Sequence, residues 1–302
     1  MIIATLCAAA AVATSAPLEA PQGAPQGAQK GPPAGPPPPP TGWTFGVGVG
    51  GFYAPAYRGA DEYQVIAAPN FSVAYGTRFS FSPQDGARFV AFRKNGFEAG
   101  PMFRANFGRP ETGDNPLRIA GAGSDDLEGL GDVDPTGELG GFMRLRKRKF
   151  TLSLEARQGL QGHEGFIGEA RAQFTPRPMI VNGKPLIFRA GPSLTIVDDQ
   201  YAQSFFGVTP QQSADWAAAR TVDGGPPVQG LRLYEADGGL LSYGFEATAI
   251  RPLGRRSSLV MLAGYQRLGD IAADSPIVED LGSADQLSVG ALVSWRFGGG
   301  RR

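Results

Sequence analysis

His163 is the only histidine in the chain and sits in the glycine-rich run GLQGHEG, with Glu164 beside it. An imidazole next to a carboxylate can act as general base for a serine nucleophile, which is the chemistry of a hydrolase. No nucleophile elbow accompanies the pair, so a structural role outweighs a catalytic one and no enzyme is expected. A second candidate is the acidic stretch GSDDLEGLGDVDPTGE. Asp132-x-Asp134 opens as a calcium loop does, with Gly137 where the sharp turn belongs, but the twelfth position is Met143, which cannot coordinate calcium. Asp125, Asp126, Asp132 and Asp134 stay as candidate ligands for a loosely held divalent cation shared with lipopolysaccharide phosphates, against the plainer reading of a solvated acidic loop. The third set is Glu98, Arg104, Glu155, Arg157, Glu169, Arg171, Arg189 and Glu246. These are single charges of both signs spread among small polar residues, suited to pairing. No cofactor is expected.

The bulk composition narrows the classes further. The 302 residues carry 28 Lys and Arg against 28 Asp and Glu, which gives no reason to expect a nucleic-acid partner. A single cysteine, Cys7, rules out an internal disulfide framework and a Cys-clustered metal site. The opening MIIATLCAAAAVATSA reads as a secretory signal over residues 1–16, cleaved near 13–16. Residues 17–42 are a Pro/Gly-rich linker with almost no side chain able to fill a core, a spacer or periplasmic tether. No later segment approaches the ~18 consecutive apolar residues of a membrane-spanning helix. Any membrane crossing must be made by strands.

Strands are what the remaining sequence spells. In QLSVGALVSWRF, Leu287, Val289, Ala291, Val293, Trp295 and Phe297 fall on one side; Gln286, Ser288, Gly290, Ser294 and Arg296 fall on the other, with only Leu292 out of place. The same period of two recurs in Trp43, Phe45, Val47, Val49 and Tyr53, and in Phe150, Leu152, Leu154 and Ala156. No helical periodicity of comparable length is present. The alternation predicts an all-β fold of about twelve strands, near 43–53, 64–76, 78–82, 87–93, 97–107, 138–146, 150–158, 166–174, 185–195, 240–251, 257–267 and 286–297. The barrel then spans 43–297, and 298–302 form a short tail.

The connections are of two kinds that alternate. Short turns lie at 94–96, 147–149, 175–184 and 252–257; long loops lie at 108–137, 196–239 and 268–285, with shorter ones at 54–63, 83–86 and 159–165. That is the layout of a closed antiparallel transmembrane barrel with periplasmic turns and extracellular loops. Charge splits the same way. The loops hold Glu111, Asp125, Asp126, Glu128, Asp132, Asp134, Asp270, Asp274, Glu279 and Asp280, whereas the turns hold Lys94, Lys147, Arg148, Lys149, Arg177, Lys184, Arg255 and Arg256. The polar face of the strands decides between lipid and a soluble core. It is made of Gly, Ser, Thr, Asn and Gln with the eight pairable charges named above, which suits a confined, hydrated lumen. Trp43, Tyr53, Tyr75, Tyr243, Tyr265 and Trp295 near strand ends are expected in the aromatic girdles.

Several tracts together resemble one family, the MltA-interacting protein family, also called MipA/OmpV. They are GVGGFYAPAYRGADEYQVIAAPNFSVAYGTRFSFSPQDG, NFGRPETGDNPLRIAGAGSDDLEGLGDVDPTGELGGFMRL, GHEG, DDQYAQSFFGVTPQQSA and GDIAADSPIVEDLGSADQLSVGALVSWRF, covering nearly everything from Gly46 to Phe297. The most specific points are Tyr57-x-Gly59, Gly131-Asp132, Phe206-Gly207-Val208 and Asp274-Ser275-Pro276. The resemblance implies a barrel in the outer membrane of a Gram-negative cell, in contact with its lipid and lipopolysaccharide. It implies a non-enzymatic scaffold that links a lytic transglycosylase to a penicillin-binding protein; a small-solute porin-like channel or an adhesin is the alternative, and a hydrolase comes last. It brings no catalytic residues, and it makes Trp295 and Phe297 the signal read by the barrel-assembly machinery.

Overall fold

The computed structural model describes residues 42–299 apart from 113–116, 122–123 and 224; the signal segment, most of the linker and the end of the tail lie outside the described residues. The chain runs through β1 (Trp43–Pro55), β2 (Tyr63–Tyr75), β3 (Phe79–Ser82), β4 (Gly86–Phe89), β5 (Phe92–Lys94), β6 (Phe97–Asn106), β7 (Arg118–Gly121), β8 (Thr136–Lys147), β9 (Phe150–Gly159), β10 (Phe166–Phe174), β11 (Met179–Val181) and β12 (Lys184–Val197). It continues through α1 (Asp199–Phe206), α2 (Pro210–Arg220), β13 (Gly239–Pro252), β14 (Ser257–Leu268), α3 (Asp270–Ala273), α4 (Pro276–Glu279) and β15 (Asp285–Gly298).

Twelve of these positions make one antiparallel wall that closes on itself, because β1 pairs with β2 on one side and with β15 on the other. β4 and β5 share a single place in it, both pairing with β6. β11 extends a turn as a hairpin with β12, closed by Asn182 and Gly183, both at positive φ, as an Asn-Gly turn requires. β7 is a loop strand laid along the upper half of β2, where the short β3–β4 hairpin leaves that edge uncovered. Closure gives every wall strand a hydrogen-bonded neighbour on both sides, which is the condition for strands to sit in hydrocarbon.

The period of two shows in exposure. Trp43, Phe45, Val47, Val49 and Tyr53 of β1 face outward, as do Leu287, Val289, Trp295 and Phe297 of β15; Val49 is 56% exposed. Such a band of bare aliphatic and aromatic side chains is costly in water and at rest in lipid. Aromatic pairs border it, Trp43 with Tyr75 at the turn end (centroids 5.0 Å) and Tyr53 with Tyr63 at the loop end (4.9 Å).

The interior is less polar than the strand pattern predicts. Phe52, Ile66, Ile250, Val260, Leu262 and Leu292 point inward from β1, β2, β13, β14 and β15 and bury one another in a dry cluster. Leu292, the residue that breaks the alternation, therefore sits on the inner face because that sector of the lumen is filled by side chains rather than water. Glycine makes room for it. A Cβ at Gly290 would lie 2.3 Å from Cδ1 of Phe52, closer than any real contact. Gly290→Ala is expected to cost about 1–3 kcal/mol through overpacking, read as a lower temperature for the heat-dependent gel shift of the folded barrel; an unchanged shift would mean that Phe52 moves aside freely.

The loops hold the second departure. The sequence pattern showed no helix, yet four short ones form there. α1 is capped by Asp198, whose side chain accepts from the Tyr201 N–H, and α2 opens on Thr209 with a capping box to Gln212 and Pro210 in the first turn. Helices of this length are marginal alone, so packing must hold them.

Candidate functional site

The other half of the lumen carries charge. Arg88 of β4, Arg104 of β6, Arg157 of β9 and Arg171 of β10 meet Glu138 of β8, Glu155 of β9, Glu169 of β10 and Glu246 of β13, so four arginines face four glutamates. Arg157 bonds Glu138 (2.7 Å), Glu155 (2.9 Å) and Glu169 (2.5 Å). Arg104 reaches Glu155 (3.1 Å) and Glu169 (3.2 Å), Arg88 reaches Glu155 (2.6 Å), and Arg171 bonds Glu169 and lies 3.7 Å from Glu246. Several bonds join strands that are not neighbours in the wall, such as β4 to β9 and β6 to β10, so the network braces the barrel across its bore. Burial removes water's screening, and the equal count of each sign makes that burial tolerable.

Of the eight charges picked from the sequence, Arg104, Glu155, Arg157, Glu169, Arg171 and Glu246 are brought together here. Glu98 is buried but pairs with Arg93 (3.0 Å), and Arg189 lies half-buried on β12. Arg88 and Glu138 were missed. Both share the inward parity of their strands, which is the signal that could have found them.

His163 joins the network from above. Its side chain is fully buried, its Nε2 lies 3.3 Å from Oε1 of Glu138, and its Nδ1 accepts from the Gly165 N–H at 3.1 Å. An Nδ1 that accepts leaves the proton on Nε2, which donates to Glu138. Both ring nitrogens are thus engaged, and the ring packs edge-on against Tyr201 of α1 (centroids 4.9 Å). Glu164 is exposed and does not contact the ring as a triad partner would. The hydrolase arrangement is not assembled.

Tyr201 belongs to a cap over the loop end of the barrel. Tyr201, Ala202 and Phe206 of α1 are buried against Leu241, Leu268, Ala272 and Val278; beside them Tyr57, Leu127, Leu130, Val208, Trp216 and Ile277 form a second cluster. Hydrogen bonds lock the pieces: Ser275 Oγ donates to the Phe206 carbonyl (2.6 Å), Tyr57 OH donates to the Leu281 carbonyl (3.1 Å), and Trp216 Nε1 donates to the Asp126 carbonyl (2.8 Å). Arg109 is sealed below, donating to the Phe205 carbonyl; burial pushes its guanidinium down to about 10, so it keeps its charge at neutral pH. Burial, then the nearby Asp126, pushes the Tyr57 phenol up, which keeps it a neutral donor. The void between cap and network measures about 80 Å³, room for about two or three waters.

In the acidic loop, as elsewhere among the described residues, no group of three or more His, Cys, Asp or Glu side chains is placed to hold a metal ion. Asp126 accepts from Ser124 Oγ and Asp132 from the Glu111 N–H, while Arg220 donates to the Asp125 carbonyl. The Asp126 carboxylate is spent on a local turn, and that of Asp132 on a bond across the loop to residue 111. At the other end, Trp295 and Phe297 lie on the lipid face, opposite Val47 and Phe45.

The residues that build the cap are largely the tracts singled out above: Tyr57 and Gly59, Phe206 to Val208, and Ser275 with Pro276. Residues 47–297 match the family described as MltA-interacting protein MipA. The chain belongs to that family. The match begins in β1 and ends in β15, so the MipA-family region and the closed wall coincide. With its lipid-facing belt, this MipA-family chain is an outer-membrane β-barrel of the Gram-negative envelope. No curated protein matches the chain. Among solved structures it is similar to an outer membrane channel from Pseudomonas putida F1 (12% identity, 85% of this chain and 96% of that one, TM-score 0.40). It is similar also to the NanC porin (9%, 82% and 98%, TM-score 0.38) and to the β domain of the Bordetella autotransporter BrkA (10%, 85% and 100%, TM-score 0.37).

Proposed function

We propose that this barrel is a non-enzymatic scaffold, shut toward the outside, whose periplasmic rim holds a murein hydrolase and a murein synthase together. The observation that carries the reading is the filled interior. A cap closes the loop end, and within the wall an ion-pair network fills one side of the bore and a dry apolar cluster the other, which favours a surface role over transport. The rim offered to the periplasm is basic: Lys94, Lys147, Arg148, Lys149, Arg177, Lys184, Arg255 and Arg256 are all exposed. The family's own description names an interaction with MltA, which supports a lytic transglycosylase as one partner; a penicillin-binding protein is the second partner in this reading.

Pull-down from solubilised envelope tests the reading. Reversing Lys147, Arg148 and Lys149 to Glu is expected to lower transglycosylase recovery by at least about tenfold, since like charges at an interface cost several kcal/mol; recovery of neither enzyme by the unaltered chain would end the proposal. Planar bilayers should stay electrically silent, and steady unitary currents would favour the small-solute channel instead. Trp295 and Phe297 serve in this reading as the assembly signal. Phe297→Ala is expected to leave a large unfolded fraction in gel-shift assays of membrane insertion, and full insertion would place the signal elsewhere.

A further inference from the structure

Below the apolar cluster the lumen opens toward the turns as a cavity of about 430 Å³. Its roof is Ile187, Ile250, Val260 and Leu292, its sides carry hydroxyls such as Ser72 and Ser258, and its mouth carries Arg255, Arg256 and Arg296. Arg296 points inward from β15, half-buried, and beside it the Arg256 carbonyl accepts the Arg296 N–H at 2.8 Å. Among the described residues, none of these three guanidinium groups has an ion-pair or hydrogen-bond partner for its side chain. The one carboxylate on the cavity wall, Asp85, is already paired with Arg88 at 3.2 Å.

We propose that this cavity binds a single-chain amphipathic anion from the periplasmic side, with the acyl chain against the apolar roof and a carboxylate or phosphate head among the three arginines. Three observations support this occupant. The volume falls within the ~300–1,000 Å³ of sites that enclose small ligands and is at the low end, fitting one chain rather than two. The lining is apolar where it is deepest and cationic where it meets water, the order in which an amphiphile would enter. Arg296 is half-buried with no counter-charge, a partly desolvated cation that an anionic head would neutralise with charge-assisted, bidentate hydrogen bonds, while the exposed Arg255 and Arg256 flank the mouth.

The test uses the full chain trapped in amphipol, with dodecanoate, dodecyl phosphate, dodecanol and dodecyltrimethylammonium as probes, read by native mass spectrometry and equilibrium dialysis. Dodecanoate or dodecyl phosphate should bind saturably at one per barrel, and their ratio separates a fatty acid from a phosphorylated lipid as the source. Dodecanol and the cationic probe should bind at least about tenfold more weakly, the scale of one or more charged hydrogen bonds. Arg296→Gln, and separately the exposed Arg256→Gln, should each weaken the anions and leave dodecanol unchanged. Ser294→Phe, which fills the cavity without touching the charges, should abolish binding of every probe while the folded gel band persists. Equal binding of dodecanol and dodecanoate, indifference to all three variants, or no saturable binding would overturn the proposal.

Discussion

Arg157→Met is expected to destabilise the barrel by about 3–5 kcal/mol, the range for removing one partner of a buried ion pair. Arg157 bonds three glutamates at once, and Glu138, Glu155 and Glu169 would all lose a cation while remaining out of water. Methionine preserves most of the volume, so the loss reports charge rather than packing. The charge-balanced double variant Arg157→Met/Glu169→Gln leaves three arginines and three glutamates and should recover more than half of it. Urea unfolding in liposomes, followed by tryptophan fluorescence, measures both. A loss below about 1 kcal/mol for the single variant would make the network no stronger than exposed surface pairs, and the bracing role would fail. Added salt should change the wild-type value little, because buried pairs are poorly screened.

Phe206→Ala should open the cap and leave the wall standing. Phe206 is 1% exposed, packed among Ile167, Tyr201, Leu241 and Val278, and its carbonyl takes the Ser275 hydroxyl. Removing a buried aromatic ring costs about 3–5 kcal/mol. That exceeds what a cap of short helices can lose, whereas the wall keeps every strand pairing. Trypsin should then cut at Arg220 or Arg232 within minutes under conditions where the parent chain resists, while the heat-dependent gel shift of the barrel stays where it was. Equal resistance of the two chains would mean that α1 is held by something other than its apolar face. The same variant probes the network below, since α1 also carries Tyr201, which packs against His163 and so against the Glu138–Arg157 pair.

Much of this architecture is legible in the residues themselves, and the exceptions have physical causes. The outward face of β1 and β15 reads directly, because lipid demands an apolar residue at every second position and nothing interrupts the demand. Leu292 and Phe52 do not read, because a residue turned into the lumen is free to be apolar wherever another strand supplies a partner. Helices α1 and α2 do carry local marks in Asp198 and in Thr209-Pro210-Gln211-Gln212. Their apolar faces are too short to stand out, since Trp216 is the only buried residue of α2. The inward charges follow parity, and Arg88 and Glu138 obey the same rule as Arg104 and Glu155.

The sequence by itself determined the class of fold, the approximate number of wall strands, which rim is basic and which acidic, and the family to which the chain belongs. The fold class, the strands and the rim charges follow from period two, from loop length and from local composition, and the family from the likeness of whole tracts; all are properties of neighbours along the chain. Only the tertiary structure decided which charges meet, that His163 serves Glu138 rather than a nucleophile, and that loops distant in sequence fold into one cap. Those depend on closure of the wall, which sets β4 across from β9 and carries residues 57, 206 and 277 to the same end of the barrel; no local pattern encodes a distance across a bore.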